Sequence, residues 1–138
     1  MAAAESIVDY LHAMFGKNIR AIIPQISMSA GTMFALSCRQ IIMGKQSNLG
    51  PIDPQMGGVA CQAVLDEFEQ AKEDIRKNPQ SAALWQTIIS KYHPTFLGSC
   101  KNSIDWSEKL VEEWLKRNMC DGNGGLAKKY LKSLVITK

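Results

Sequence analysis

Ile26-Ser27-Met28-Ser29-Ala30-Gly31-Thr32 sets a serine between a strand-like run and a stretch of small and apolar residues. Upstream, residues 19 to 23 (I-R-A-I-I) form a short β-branched run closed by Pro24, which reads as a buried strand. Downstream, apolar spacing predicts a helix over 30–38 and a second short strand over 40–43. A tight turn of small residues at Ser27 to Ser29 therefore joins strand to helix and presents Ser29 at the helix N-terminus. There the backbone N–H of Ala30 can point at an oxyanion, aided by the helix dipole. Taken alone the motif is equally readable as an N-cap, since serine is a favoured cap.

Upstream of the first strand, Ile7, Val8, Leu11, Met14 and Phe15 recur at helical spacing over residues 2 to 15, and Gly16 supplies the stop. The order helix, strand, turn, helix, strand implies crossover connections and a largely parallel sheet. Such a sheet needs more strands than the two or three visible, so the expectation is a partial sheet whose strand before the first helix has been cut away. Residues 44 to 58 are rich in Gly and Pro and read as a loop with special backbone geometry. Beyond it, residues 60–77, 81–92, 103–118 and 125–134 show helical periodicity. Asn102 or Ser103 is a plausible cap, and Asp105-Lys109, Glu112-Lys116 and Glu113-Arg117 are i,i+4 pairs. The fold class expected is α/β, one incomplete domain over residues 1–138 with flanking helices and a helical C-terminal part.

Composition excludes several classes. The 138 residues are 46% apolar and 21% charged with a net charge of +3, the pattern of a globular domain, and basic and acidic residues are interleaved. No stripe of cations marks a nucleic-acid partner. Cys38, Cys61, Cys100 and Cys120 lie far apart, with no C-x-x-C pair and no histidine cluster, which argues against a zinc site or a disulfide framework and for a reducing, cytoplasmic setting. Residues 21 to 38 carry no charge, yet Pro24, Gln25, Ser27, Ser29, Thr32 and Ser37 make them too polar to span a bilayer, so any membrane association is expected only through partners. Residues 1 to 7 lack the features of a signal peptide.

The run from Ile26 to Gln55, I-S-M-S-A-G-T-M-F-A-L-S-C-R-Q-I-I-M-G-K-Q-S-N-L-G-P-I-D-P-Q, closely resembles the nucleophile region of serine dehydrogenase proteinases, relatives of signal peptide peptidase A in the Clp protease/crotonase superfamily. In that family the serine of S-A-G-T opens a helix and L-G-P-I-D-P-Q closes the site. The resemblance is close over residues 20 to 58 and looser to about residue 118. It implies the Clp protease/crotonase fold, hydrolysis of peptide or protein substrates, no metal or organic cofactor, and closed homo-oligomers. Members usually carry a Gly-rich P-G-G loop before the first helix, whose backbone N–H serves as a second oxyanion donor; the present sequence begins after that point and reads as N-terminally truncated.

A serine nucleophile needs a proton acceptor, and Lys72, His93 and Asp53 are the candidates. On a helical wheel from Cys61, Lys72 falls in the arc of Val64, Leu65, Phe68, Ala71 and Ile75, whereas Lys77 falls with Asp66, Gln70 and Glu73. A lysine turned toward a core snorkels, pairs, or loses its proton, and the last suits a Ser-Lys dyad. Relatives like signal peptide peptidase A use such a lysine some tens of residues after the serine, as Lys72 stands to Ser29. His93, in K-Y-H-P-T at an expected helix end, is a capping residue or a substitute base. Asp53 matches the position of the Clp catalytic histidine, where it orients a partner or builds an Asx turn. Trp85, Tyr92, Trp106 and Trp114 fall on apolar faces, and Met28, Met33, Met43 and Met56 surround the serine motif as core or as an apolar substrate groove.

Two readings follow: a serine peptidase with Ser29, Lys72 and the Ala30 N–H in its site, or a non-catalytic assembly module of the same fold. A crotonase-type acyl-CoA enzyme needs no serine nucleophile, and S-A-G-T speaks against it.

Overall fold

Pro24 cannot donate to a strand ladder, and the first sheet is arranged around that break. In the computed structural model, which describes residues 2–134, β1 (Arg20–Ile23) stops at Pro24 and the chain resumes as β2 (Ile26–Ser27) with a different partner. β1 pairs in parallel with β3 (Gln40–Met43), Arg20 opposite Gln40 and Ile23 opposite Met43. β2 pairs in parallel with β4 (Asn48–Leu49), Ser27 opposite Leu49. Ser47 bridges the break: its hydroxyl donates to the Ile23 carbonyl at 2.6 Å and accepts from the Gly44 amide at 2.9 Å. The segment expected to be loop thus contributes β4 and a second short strand at Gln55–Met56.

The described residues form two compact units, one drawn from residues up to Asp53 and from Trp106 onward, the other Pro54–Asp105. In the first, α1 (Ala2–Phe15) ends where expected, the Gly16 amide donating to the His12 carbonyl at 2.9 Å. α2 (Ala30–Ser37) carries no charged residue and buries Thr32, Met33, Ala35, Leu36 and Ser37. Its core partners are Val8 of α1, Ile52, Val111 and Trp114 of α5 (Phe96–Trp114), Leu115, and Ala127 and Leu131 of α6 (Gly124–Leu134). α5 runs directly into a π-helical turn at Leu115–Met119, closed by the Cys120 amide on the Leu115 carbonyl at 2.8 Å.

That turn supplies Asn118, which is buried and donates through Nδ2 to the Ser37 carbonyl at 2.8 Å. His12 Nε2 lies 3.0 Å from the same carbonyl, and its Nδ1 faces an Arg117 guanidinium nitrogen at 2.5 Å. A guanidinium only donates and a carbonyl only accepts, so this network holds His12 as the Nε2–H tautomer.

The strand expected to be buried is largely exposed. Only Ile23 is buried; Ile22 is 73% exposed and Ile42, its register partner, 42%. A parallel strand is buried when both faces and both edges are covered. Among the described residues β1 has β3 alone beside it, and the face bearing Ile22 and Ile42 has no covering layer. α1 likewise leaves Ile7, Tyr10 and Met14 exposed.

In the second unit, β5 (Gln55–Met56) and β6 (Val59–Ala60) form an antiparallel hairpin through Gly57 and Gly58, both at positive φ as a type I′ turn requires. α3 (Cys61–Lys77) follows, then a short 3₁₀ turn at Pro79–Ser81, α4 (Ala82–Ile89) and the start of α5. Cys61, Val64 and Cys100 are its buried centre, with Phe68, Tyr92 and Phe96 packed against them. The Tyr92 ring lies 5.5 Å from that of Phe68 and 5.7 Å from that of Phe96, and its hydroxyl donates to Glu67 at 2.7 Å.

Helix boundaries differ from expectation here. α5 begins at Phe96, so Asn102 and Ser103 lie inside it and cap nothing, because Phe96, Leu97, Cys100 and Ile104 already supply an apolar face. α4 stops at Ile89, with the Ser90 hydroxyl on the Thr87 carbonyl at 2.9 Å. Glu112 stands 3.8 Å from Lys128 of α6 instead of pairing with Lys116. Trp114 is buried as expected, but Trp106 is 37% exposed. No helix of the described residues is long and apolar enough to cross a membrane.

Leu115 is fully buried, so Leu115→Ala should cost about 2–5 kcal/mol in urea unfolding, whereas Ile22→Ala should cost about 0.5 kcal/mol or less. A second expectation concerns pH. The Glu67 carboxylate beside the Tyr92 hydroxyl pushes its pKa upward, since a phenolate there would lose the hydrogen bond and meet a like charge. Tyr92 therefore stabilises the fold while protonated, fully below a pH of about 10, and that contribution is lost as pH rises through its raised folded value. Tyr92→Phe should be less stable than wild type at pH 8, and the gap should narrow in strong alkali.

Candidate active site

Ser29 has φ 49° and ψ −117°, a conformation that L-residues avoid because Cβ crowds the backbone. These are the angles of the first central residue of a type II′ turn, and the Gly31 amide closes that turn on the Met28 carbonyl at 2.9 Å. Three further hydrogen bonds hold the residue there. Its amide donates to the Pro51 carbonyl at 3.2 Å, its carbonyl accepts the first bond of α2 from Met33 at 3.1 Å, and the Gly50 amide binds the preceding Ser27 carbonyl at 2.7 Å. A strained serine on a sharp turn from strand to helix is the geometry of a nucleophile elbow.

The cap reading does not survive. A capping serine accepts a helix amide through its hydroxyl, and Ser29 makes no side-chain cap hydrogen bond. Ser29 is exposed, at the positive end of a helix with no acidic residue in its first turn. Ala30 beside it is also exposed, and its amide, first in α2, has no partner within the helix by position.

Two glycines allow the close approach that builds the elbow. A Cβ on Gly31 would stand 2.5 Å from Ser27 Oγ, so glycine lets the first turn of α2 close onto β2. A Cβ on Gly50 would stand 2.8 Å from Met28 Cγ, so glycine lets the L-G-P-I-D run lie against the residue preceding Ser29. Between them sits Thr32, with no exposed surface and its hydroxyl 2.9 Å from both the Ser27 and the Gly50 carbonyls. In the sequence Thr32 is only the last residue of S-A-G-T, with no role attached to it. The signal was present: a hydroxyl in the first turn of an otherwise apolar helix must find a partner once buried.

The other residues singled out from sequence divide between the units. Ser29 and Ala30 are together, and Asp53 follows the Pro51 carbonyl that binds Ser29, half-buried at the end of the closing run. Lys72 and His93 belong to the second unit. The wheel turned Lys72 toward the core; instead its side chain is 70% exposed and pairs with Glu69 at 2.6 Å, no differently from Lys77, also 70% exposed and 3.7 Å from Glu73. Physically it snorkels: it lines a groove of about 530 Å³ with Leu65, Phe68, Leu97 and Ile104, and its ammonium reaches water. His93 is exposed; its Nδ1 accepts from the Thr95 amide at 3.3 Å and lies 2.8 Å from the Thr95 hydroxyl, so it organises the entry into α5 where a cap on the end of α4 was expected.

Of the methionines, Met33 is core, while Met28 is 55% exposed beside Ser29. The four cysteines are buried and none forms a disulfide among the described residues. Burial pushes the Cys38 thiol upward, only partly offset by its hydrogen bond with Ser37, which keeps it protonated and inert as a nucleophile.

Over residues 1–120 the chain matches the ClpP-like SDH-type serine proteinases. It belongs to that family. Two uncharacterized proteins of Methanocaldococcus jannaschii resemble the chain: MJ0137, 40% identical over 55 residues that cover 40% of the chain and 19% of the relative, and MJ1495, 37% identical over 95 residues that cover 69% and 28%. The chain thus spans less than a third of the length of either relative. No solved structure matches it.

If Ser29 is strained as its angles indicate, Ser29→Gly should be more stable than Ser29→Ala by about 1 kcal/mol, because glycine adopts positive φ without a Cβ clash. Thermal melting of the two variants checks this, and equal stability would remove the argument from strain.

Proposed function

We propose that the protein is a peptidase of the Clp protease/crotonase fold that cleaves peptide bonds by acyl-enzyme chemistry with Ser29 as nucleophile. The observation that carries this reading is a strained serine at a helix N-terminus whose hydroxyl is not used as a cap. Ser29 Oγ bonds to the scissile carbonyl carbon, the hydroxyl proton passes to a base, and the carbonyl electron pair moves onto oxygen. The Ala30 N–H and the dipole of α2 meet that negative oxygen. Collapse breaks the C–N bond and the base returns the proton to the leaving amine; water then repeats the sequence and frees the acid.

Lys72 is the base in this reading, on the family resemblance and on the chemistry of a Ser-Lys dyad. The role requires its pair with Glu69 to open and Nζ to lose its proton. His93 and Asp53 are the alternatives. A fluorophosphonate probe tests the nucleophile and a peptide ester the base. Ser29→Ala should abolish labelling and hydrolysis. Lys72→Met should lower turnover by about 100-fold or more, as removal of a general base does. Near-full activity in Lys72→Met with loss in His93→Ala would transfer the role to the histidine.

A second reading, a homo-oligomeric assembly module, is favoured by one observation: Ile7, Tyr10 and Met14 on one side of α1, and Ile22 and Ile42 on one face of β1 and β3, are apolar and exposed. Surfaces of this kind are covered by partners, and a second copy is the partner the family resemblance suggests. Light scattering at micromolar concentration should find a species heavier than the 15.3 kDa chain; a monodisperse monomer would contradict it. A non-catalytic module is told apart from an oligomeric peptidase by the fluorophosphonate probe, which would label Ser29 only in the peptidase.

A further inference from the structure

We infer that Thr32 is a positioning residue: its buried hydroxyl locks the closing run at Gly50 and Pro51 onto the elbow and so keeps Ser29 in its strained conformation. This rests on the reading of Ser29 as nucleophile. A strained residue persists only where its surroundings over-determine it. For Ser29 the constraint from outside its own turn and helix is the Pro51 carbonyl, which accepts its amide at 3.2 Å. That carbonyl is in place only while residues 48–51 stay against β2, and these are held by the two-residue β2–β4 pairing, by the Gly50 amide on the Ser27 carbonyl and by Thr32.

Thr32 holds a distinctive place among them. A threonine inside a helix ordinarily returns its hydroxyl to a carbonyl three or four residues earlier in the same helix. Here the hydroxyl leaves the helix, reaching Ser27 five residues back and Gly50 eighteen residues on, each at 2.9 Å. It has a single proton for two carbonyls. Ser27 already accepts from the Gly50 amide at 2.7 Å, so the Gly50 carbonyl is the acceptor with more to gain, and the proton is shared with or directed to it. Thr32 has no exposed surface, so no water is at hand to replace the bond.

Thr32→Val keeps shape and volume and removes the proton. Two carbonyls would then face a methyl group, and the least costly relief is for residues 48–51 to draw back. The Pro51 carbonyl leaves the Ser29 amide, Ser29 relaxes, and its hydroxyl moves off the line of attack. A misplacement of about 1 Å can cost about 100-fold in rate. The effect should fall on kcat and not on KM.

The test compares wild type, Thr32→Val, Thr32→Ser and Ser29→Ala, each shown to be folded by circular dichroism. Two quantities are read: the rate of fluorophosphonate labelling at residue 29 per folded molecule, and hydrogen exchange of the Ser29 amide by NMR. Thr32→Val should label at least about tenfold more slowly than wild type, exchange the Ser29 amide faster, and lose kcat at constant KM on a peptide ester. Thr32→Ser, which restores the hydroxyl, should recover labelling and protection. A purely structural threonine would lower the melting temperature of Thr32→Val while labelling per folded molecule stayed constant, and that outcome overturns the inference. So does equal loss in Thr32→Ser, which would assign the effect to the methyl group, or an unchanged exchange rate in Thr32→Val. Absence of labelling in wild type would instead remove the nucleophile reading, and this inference with it.

Discussion

Helix α2 can occupy its place only because both of its ends are tied to carbonyls that would otherwise be stranded. It has no charged residue and most of its surface is buried, so it has no solvent-facing stripe to orient it. Hydrogen bonds orient it instead. At its start the elbow closes through the Ser29 amide, the Gly31 amide and the Thr32 hydroxyl. At its end the Ser37 carbonyl receives His12 from α1 and Asn118 from the π-helical turn. A buried carbonyl without a donor costs about 1–3 kcal/mol, so moving the helix along its axis would forfeit bonds at both ends together. The position of Ser29 is inherited from that double attachment.

The π-helical turn belongs to the same constraint. One extra residue per turn brings Asn118 to face α2 while Leu115 stays in the core beside Trp114. Asn118 Oδ1 is itself buried without a partner among the described residues, and the same amide group earns its place through Nδ2. A local defect in one helix is thus offset by the end of another. Such turns recur near functional sites because they re-aim a single side chain without ending the helix.

The first unit is polarised. One side carries the packed core, from Val8 to Leu131, and the other leaves apolar residues of α1, β1 and β3 in water. The second unit is smaller, with a centre of two thiols and a valine enlarged by Phe68, Tyr92 and Phe96. The chemistry assigned to the chain divides along the same line. The proposed nucleophile Ser29 and proposed oxyanion donor Ala30 rest on the attachment of α2, while both proposed nitrogen bases are exposed side chains of the second unit. A nucleophile needs a fixed backbone, which local hydrogen bonds can supply. A lysine base needs an environment that withholds water from its ammonium, so Lys72, exposed in the described chain, would have to be covered before it could act, whereas a histidine needs no such cover.

Local chemistry was legible from residue order. Gly16 ends α1, Pro24 ends β1, the S-A-G-T turn starts a helix, and parallel pairing of the two short strands follows from the helix between them. The family could be recognised because S-A-G-T and L-G-P-I-D-P-Q are short motifs whose geometry is set by the residues within them. Other properties depended on what lies across space. Ile22 is β-branched and apolar, but burial requires a neighbouring layer, and no periodicity shows whether one is present. Lys72 falls on the apolar arc of α3, yet a four-carbon stem can lie along that arc while its ammonium pairs with Glu69 in water, so the direction of a helical residue does not fix where its charge ends. Thr32 is the clearest case. Its residue type states only that a hydroxyl is present; that the hydroxyl spans from Ser27 to Gly50 is decided by the pairing of β2 with β4, because only that pairing brings two distant carbonyls within reach of one proton.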